Sequence, residues 1–191
     1  MNRQQGQSLT ELIVVVALIG IFAGVTVSPV TQARQRVALI AGTSELRATF
    51  QYVRTLAIAH DRNVAIRFRQ DGDGWTWAIY EDHDGDGVRN DDISRGVDRI
   101  VGKAHRFEHK PARIGVPAGR LPDPFASGFL DGRSPVRFGT SSLCSFSRAG
   151  EATNGSIVLT DGIRAVMLRV NGASARISVL RWDGRRWKEG D

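Results

Sequence analysis

The chain has 191 residues, of which 41% are hydrophobic and 24% are charged, and its 26 Lys and Arg against 20 Asp and Glu give a formal net charge of +6. This composition is typical of a globular protein and excludes an intrinsically disordered chain, and the length suits one domain. Because Cys144 is the single cysteine, an intramolecular disulfide and a multi-cysteine zinc site are also excluded.

An uncharged segment lies between Glu11 and Arg34, and its most apolar part is Leu12–Val27. As a helix this part would cover about 24 Å, and the flanking residues can complete a span of the roughly 30 Å hydrocarbon core. A secretory signal peptide fits less well, because the apolar run continues past any small-residue cleavage site and an amphipathic helix follows directly. A buried globular helix is disfavoured because Leu12–Ile21 is apolar on every face. The pattern therefore favours a transmembrane helical segment over 7–33.

The residues that lead into this segment read GQSLTELI over 6–13. This stretch resembles the class III signal of type IV pilins and type II secretion pseudopilins, in which a prepilin peptidase cuts after a glycine. The resemblance implies a leader over 1–6 that ends at Gly6, and a new amino terminus at Gln7 that is N-methylated. It also implies that Glu11 is the acidic residue at the fifth mature position, although the family usually has Phe where this chain has Gln7.

Glu11 places a carboxylate at the edge of an apolar segment, where an unpaired charge costs several kcal/mol. Residues four apart on a helix share a face, so the Gln7 amine and Glu11 could neutralise one another within a subunit or between filament neighbours. The alternative is that Glu11 only marks the start of the span. The resemblance implies the first interpretation, an assembly role for Glu11.

The charges flanking the segment bear on its orientation. Arg34 and Arg36 follow the segment, whereas the leader carries only Arg3, so the positive-inside rule favours a cytoplasmic head. The resemblance implies the opposite orientation: a single-pass inner-membrane protein with its head in the periplasm. It further implies the prepilin peptidase and other pseudopilins or pilins as partners.

Beyond the span, apolar residues recur at helical spacing and then at strand spacing. Pro29 is expected to kink the helix without ending it. Leu46, Phe50, Val53 and Ala57 recur at helical spacing and predict an amphipathic helix within 34–62. After it the period changes to two, which predicts a β-rich head over 63–191. Strands are predicted at the following segments: 64–68, 75–80, 97–101, 113–116, 136–138, 156–159, 164–170 and 175–182.

These patterns predict an α+β fold, in which a long amino-terminal helix, transmembrane and then amphipathic, packs on an antiparallel β-sheet or sandwich head. The order of elements, with an aromatic strand WTWAIY at 75–80, an acidic loop and a late FSRAG at 146–150, resembles the H-type minor pseudopilin (GspH/FimT) branch.

The acidic loop DHDGDGVRN at 82–90 is a candidate calcium site. Asp82, Asp84 and Asp86 alternate around glycines, and Asn90 adds an oxygen donor, which suits the coordination of calcium. An EF-hand would place a bidentate Glu where this chain has Ile93. The alternative is an acidic, glycine-rich surface turn.

The carboxyl-terminal stretch RWDGRRWK at 181–188 interleaves cations with tryptophans. Arg185, Arg186 and Lys188 could contact phosphates while the indoles stack on bases. DNA-uptake pilins of the same branch carry a late Gly-Arg-x-Arg element, and the corresponding stretch here, GASAR at 172–176, lacks its first Arg. The alternative is a β-hairpin that turns at Asp183-Gly184, with its tryptophans packed on the sheet.

No nucleophile elbow or phosphate-binding glycine loop is found, so the chain is not expected to be an enzyme. The leading hypothesis is a minor pseudopilin of a type II secretion system, which assembles through its amino-terminal helix into a periplasmic pseudopilus that supports protein export. One alternative is a minor type IV pilin that binds DNA for uptake. The other is a membrane-anchored calcium-binding module, in which Ca²⁺ would be the cofactor.

Overall fold

One long helix begins the fold. The computed structural model describes residues 9–72 and 74–190, and for residues 20–29 it describes the backbone alone. Helix α1 (Leu9–Ala59) has 51 residues and continues through Pro29. It ends in a Schellman motif, because Asp61 adopts a left-handed φ of 51° and the Arg62 N–H donates to the Ala57 carbonyl at 3.1 Å.

The rest of the described chain consists of short strands and one short helix. In chain order these elements are β1 (Val64–Asp71), β2 (Gly74–Glu81), α2 (Asn90–Arg95), β3 (Arg99–Arg106), β4 (Arg113–Ile114), β5 (Val136–Phe138), β6 (Leu143–Phe146), β7 (Gly155–Thr160), β8 (Ala165–Val170), β9 (Ile177–Trp182) and β10 (Trp187–Gly190).

The strands in the described part of the chain form two antiparallel sheets. The first sheet has the order β3-β2-β1-β6, and the second has the order β10-β9-β8-β7-β4, with β5 also paired to β7. Neighbours are antiparallel in both sheets. The predicted α+β fold, a long helix on an antiparallel head, is therefore confirmed.

The predicted helical stripe is the centre of the core. Leu46, Phe50, Val53 and Ala57 are all completely buried. The Phe50 ring lies 6.1 Å from that of Phe68 in β1 and 6.0 Å from that of Phe138 in β5, in edge-on contacts. Because β1 and β5 belong to different sheets, α1 joins the two sheets through one side chain.

The alternation along β1 separates two apolar clusters. Val64, Ile66 and Phe68 face the core that includes Phe50, whereas Ala65 packs with Val88 on the opposite face of the sheet. This is the period-two pattern predicted for this stretch. It places the residues after β2, which include the acidic loop, beside the outer cluster.

Two elements, α2 and β6, were not predicted, and β10 was predicted only within the alternative of a carboxyl-terminal hairpin. The β6 sequence LCSF is short, and its strand conformation depends on pairing with β1, as in Ile66 opposite Cys144. The β10 sequence WKEG lacks strand periodicity, and it is held by pairing with β9, as in Trp187 opposite Trp182. The conformation of β6 is therefore decided by a distant partner, not by local propensity, whereas β10 pairs with β9 across the adjacent turn.

The central position of Phe50 leads to a stability prediction. Phe50→Ala is expected to lower the free energy of unfolding by about 3–5 kcal/mol, because the cavity would lie between both sheets and α1. Tyr52→Ala is the matched control, since Tyr52 is two residues away and 53% exposed. Urea unfolding followed by tryptophan fluorescence measures both. Equal losses for the two variants would contradict this role of Phe50.

Candidate functional sites

The amino-terminal half of α1 presents apolar side chains that the head does not cover. The exposed large apolar side chains in its described part are Leu9, Leu12, Ile13, Val14, Val15, Val16, Leu18, Ile19 and Val30. Such a continuous apolar surface requires an apolar environment, either lipid or other helices. Among the side chains that the structure describes, no helix combines the length and hydropathy needed to cross a bilayer.

The predicted assembly residue Glu11 lies in the first turn of α1 and is exposed. A carboxylate at this end of a helix is favoured by the unpaired backbone N–H groups of the first turn. The predicted cleavage and methylation residues, Gly6 and Gln7, lie outside the described residues. The pairing of Glu11 with a Gln7 amine therefore stays a prediction.

The acidic loop is organised by Asp82, which is 3% exposed. Its carboxylate accepts hydrogen bonds from the Asn63 side chain at 2.7 Å and from the backbone N–H groups of Gly85 at 2.7 Å and Gly87 at 2.9 Å. Burial opposes ionisation of Asp82, but these hydrogen bonds together outweigh it and lower the pKa of the carboxyl group. Asp82 is therefore ionised and structural.

Three of the four predicted calcium ligands come together in this loop. One carboxylate oxygen from each of Asp82, Asp84 and Asp86 can be chosen so that all lie within 4.8 Å of one another. Asp86 also pairs with Arg89 at 2.5 Å. Asn90, the fourth predicted ligand, ends the loop and is the first residue of α2. The spacing fits a cation held by oxygen ligands, and calcium binding stays a prediction.

Two buried carboxylates behind the loop were missed by the sequence analysis. Asp92 pairs with Arg95 at 2.5 Å, and Asp98 Oδ2 accepts a hydrogen bond from the Arg89 N–H at 3.0 Å, while Asp98 Oδ1 has no hydrogen-bond partner among the described residues. Burial raises the pKa of Asp98, and the nearby Asp82 and Asp92 raise it further. No sequence pattern identified Asp98, because it is buried only when the fold places the start of β3 beside the acidic loop.

The basic carboxyl-terminal stretch forms the predicted hairpin between β9 and β10. Asp183 Oδ1 accepts hydrogen bonds from the N–H groups of Arg185 and Arg186, both at 2.9 Å. Lys188 Nζ lies 2.9 Å from Asp183 Oδ2. The Lys188 ammonium and these two amides hold the pKa of Asp183 well below its usual range. Asp183 thus closes the turn and neutralises one of the three predicted DNA-contacting cations.

The two tryptophans of this hairpin serve packing. The Trp182 and Trp187 rings lie 5.6 Å apart and pack against the apolar cluster that contains Met167. Trp187 Nε1 also donates a hydrogen bond to the Pro122 carbonyl at 2.8 Å. The hairpin interpretation is therefore confirmed, while DNA contact by Arg185, Arg186 and Lys188 stays a prediction.

Cys144 is completely buried in the core, and burial raises the pKa of its thiol well above the ordinary value. A buried neutral thiol is neither a nucleophile nor a metal ligand under ordinary conditions.

The fold and the amino-terminal sequence define a pilin-like protein, with a long helix whose carboxyl-terminal half packs on an antiparallel head. A family model described as the prokaryotic N-terminal methylation motif matches residues 1–27, and that of type II transport protein GspH matches residues 42–181. Because the second match covers most of the chain, this protein belongs to the GspH family. Searches of the curated proteins and of the solved structures found no match.

The family membership confirms the predicted resemblance to pilin-like proteins and the GspH branch. The GspH family is a structural, non-enzymatic component of type II secretion, so the chain is a pseudopilin or pilin-like protein and not an enzyme. The methylation motif is the hallmark of subunits that are processed by a prepilin peptidase.

The hydrogen bonds of Asp82 give a pH-dependent prediction. Asp82→Asn is expected to lose roughly 1–3 kcal/mol of stability at pH 7, because its NH2 group would face either the Gly85 N–H or the donors of Gly87 and Asn63. The folded-state pKa lies below the ordinary 3.8, so the contribution is present above that pH and is lost as the pH falls through the folded value.

Thermal unfolding between pH 7 and about pH 2 measures this effect, with Asp91→Asn as an exposed acidic control in α2. The gap between wild type and Asp82→Asn should narrow in acid. A gap that stays constant over this range would contradict the role of the ionised carboxylate.

The aspartate spacing gives a metal prediction. Calcium is expected to bind the protein with a dissociation constant in the range of about 10⁻⁴–10⁻³ M, because few carboxylates are available. The double variant Asp84→Asn, Asp86→Asn should abolish binding, whereas Glu189→Gln, which changes a 61% exposed carboxylate on β10, should not. Isothermal titration calorimetry provides the measurement. Absence of heat at millimolar calcium would exclude the site.

Proposed function

We propose that this protein is a minor pseudopilin that assembles, through the amino-terminal half of α1, into a periplasmic pseudopilus supporting protein export by a type II secretion system. Its leader is removed after Gly6, the amine of Gln7 is methylated, and the protein is held in the inner membrane with its head in the periplasm. The observation that carries the proposal is the uncovered apolar face of α1 together with the methylation motif over 1–27.

The mechanism follows from the chemistry of the two ends of α1. Apolar side chains of the amino-terminal half are first covered by lipid and then by the helices of neighbouring subunits. When neighbouring helices replace lipid, these side chains stay in an apolar environment, so apolar packing alone does not fix how far one helix is shifted along the next. That register must come from a polar contact. Glu11 provides it, because its carboxylate is neutralised only where a neighbouring Gln7 amine lies opposite.

Glu11→Ala is expected to leave leader cleavage unchanged and to lower incorporation into filaments roughly tenfold, since loss of one desolvated ion pair is worth at least 1.4 kcal/mol. Glu11→Asp keeps the charge and should retain part of the incorporation. Cleavage is measured by the shift in gel mobility, and incorporation by the amount of protein in sheared filaments.

Normal incorporation of Glu11→Ala would contradict the register mechanism. A chain that keeps residues 1–6 and never enters a filament would contradict the pseudopilin proposal itself and favour the membrane-anchored calcium-binding module.

A further inference from the structure

A groove between α1 and the second sheet is not used by the proposed assembly contact. It has a volume of about 370 Å³ and lies between the α1 segment 36–47 and the strands β8 and β9. Its floor includes the buried side chains of Leu39 and Val179, which are 4% and 3% exposed. The floor is therefore apolar and belongs to the main core.

Four arginines surround this apolar floor: Arg36, Arg47, Arg164 and Arg181. Arg164 has an acidic partner, with Nη1 lying 3.5 Å from Asp161 Oδ2. Arg36, Arg47 and Arg181 have no ion pair within the described residues, and the groove lining there contains no Asp or Glu. The groove thus holds three guanidinium groups that no carboxylate neutralises within the described residues.

Such a site selects the chemistry of its ligand. Guanidinium groups bind carboxylates through two parallel hydrogen bonds, and an apolar floor binds an aliphatic or aromatic side chain. A segment with two or three carboxylates around one apolar anchor satisfies both. The net charge of +6 disfavours a second copy of this chain as the source, because two copies repel one another.

The position of the groove on α1 favours a protein over a lipid. Counted from residue 33, where the transmembrane segment ends, Arg36 lies three residues and Arg47 fourteen residues further on, which at 1.5 Å per residue is about 5 Å and about 21 Å along the helix. The polar headgroup layer is only about 5–7 Å thick, so a lipid at the end of the apolar segment does not reach the far end of the groove. A neighbouring subunit, whose helix lies beside α1, does.

We infer that this arginine groove docks an acidic segment, with one apolar anchor, of a different pilin-like subunit adjacent in the filament. The inference rests on the proposed function and adds the partner chemistry of the head to it. Apolar helix packing brings the subunits together, and the groove selects which subunit lies next to this one.

The test uses the full chain, expressed in membranes with the pilin-like subunits of its own system. Ile40, 49% exposed at the groove, is replaced by the photoreactive amino acid p-benzoylphenylalanine, and the same replacement of Ile100, 47% exposed on β3, is the matched control. After irradiation, mass spectrometry identifies the crosslinked peptide. We expect the Ile40 probe, and not the Ile100 control, to capture a peptide of another pilin-like subunit that contains two or more Asp or Glu.

Charge variants test the chemistry of that capture. The double variant Arg36→Glu, Arg47→Glu should lower the crosslink yield at least roughly tenfold, because it places carboxylates opposite carboxylates. Arg36→Lys, Arg47→Lys keeps the charge without the fork and should retain more of the yield. Equal yields from the two double variants would overturn the inference.

A third probe at Ile19, 62% exposed on the apolar half of α1, separates this inference from the proposed function. If the Ile19 probe captures pilin-like subunits while the Ile40 probe captures phospholipid, a second copy of this chain or nothing, the groove proposal fails and the pseudopilin proposal stands. If neither probe captures a pilin-like subunit, both fail.

Discussion

The contact on which the rest of the head depends is the insertion of Phe50 between the two sheets. Its ring meets Phe68 of the first sheet and Phe138 of the second, and the three rings lie at the centre of one buried cluster. Neither small sheet can bury its apolar face alone, and no disulfide is available in a chain with one cysteine. The stripe of α1 that carries Phe50 is therefore the shared core element.

This arrangement divides one helix between two tasks. The carboxyl-terminal half of α1 is bound into the head by its apolar stripe, while the amino-terminal half leaves its apolar side chains uncovered. Because α1 is continuous over 51 residues, roughly 75 Å, the head and the assembly surface are connected by a rod instead of a loose linker. Packing of the amino-terminal half of α1 against neighbouring helices thus sets the position of the head at its carboxyl-terminal half.

The features that depend on local periodicity or on a single motif were predicted correctly from the sequence. The helical stripe, the alternation of β1 and the exact bounds of β5 were correct, because burial on one face leaves a period in the sequence. The strand predicted at Ala175 begins only at Ile177, since Ala175 adopts a left-handed φ of 47°. β6 is a strand because the distant β1 pairs with it, and no local pattern carries that information, whereas β10 follows β9 across the turn at Asp183-Gly184 that the sequence marked.

The candidate sites show the same limit. Asp82, Asp84 and Asp86 were found because their spacing is local, whereas Asp98 and the arginine groove come from segments that only the fold brings together. Arg36 and Arg47 on α1 meet Arg164 and Arg181 across more than a hundred residues of chain. A site whose residues come from one loop can be recognised in a sequence by their spacing. A site that combines residues of a helix and two strands cannot.

The two charged regions of the head also differ in how their charge is used. Buried carboxylates in and behind the acidic loop accept hydrogen bonds from within the head: Asp82 from Asn63 and two glycine amides, and Asp98 from the Arg89 amide. The hydrogen bonds of Asp82 stabilise its ionised carboxylate and hold the loop together. At the groove, Arg36, Arg47 and Arg181 have no ion pair with a carboxylate within the described residues. Since unpaired charge is what a partner can neutralise, selectivity between subunits is expected at the groove, and the acidic loop contributes mainly to the stability of the head.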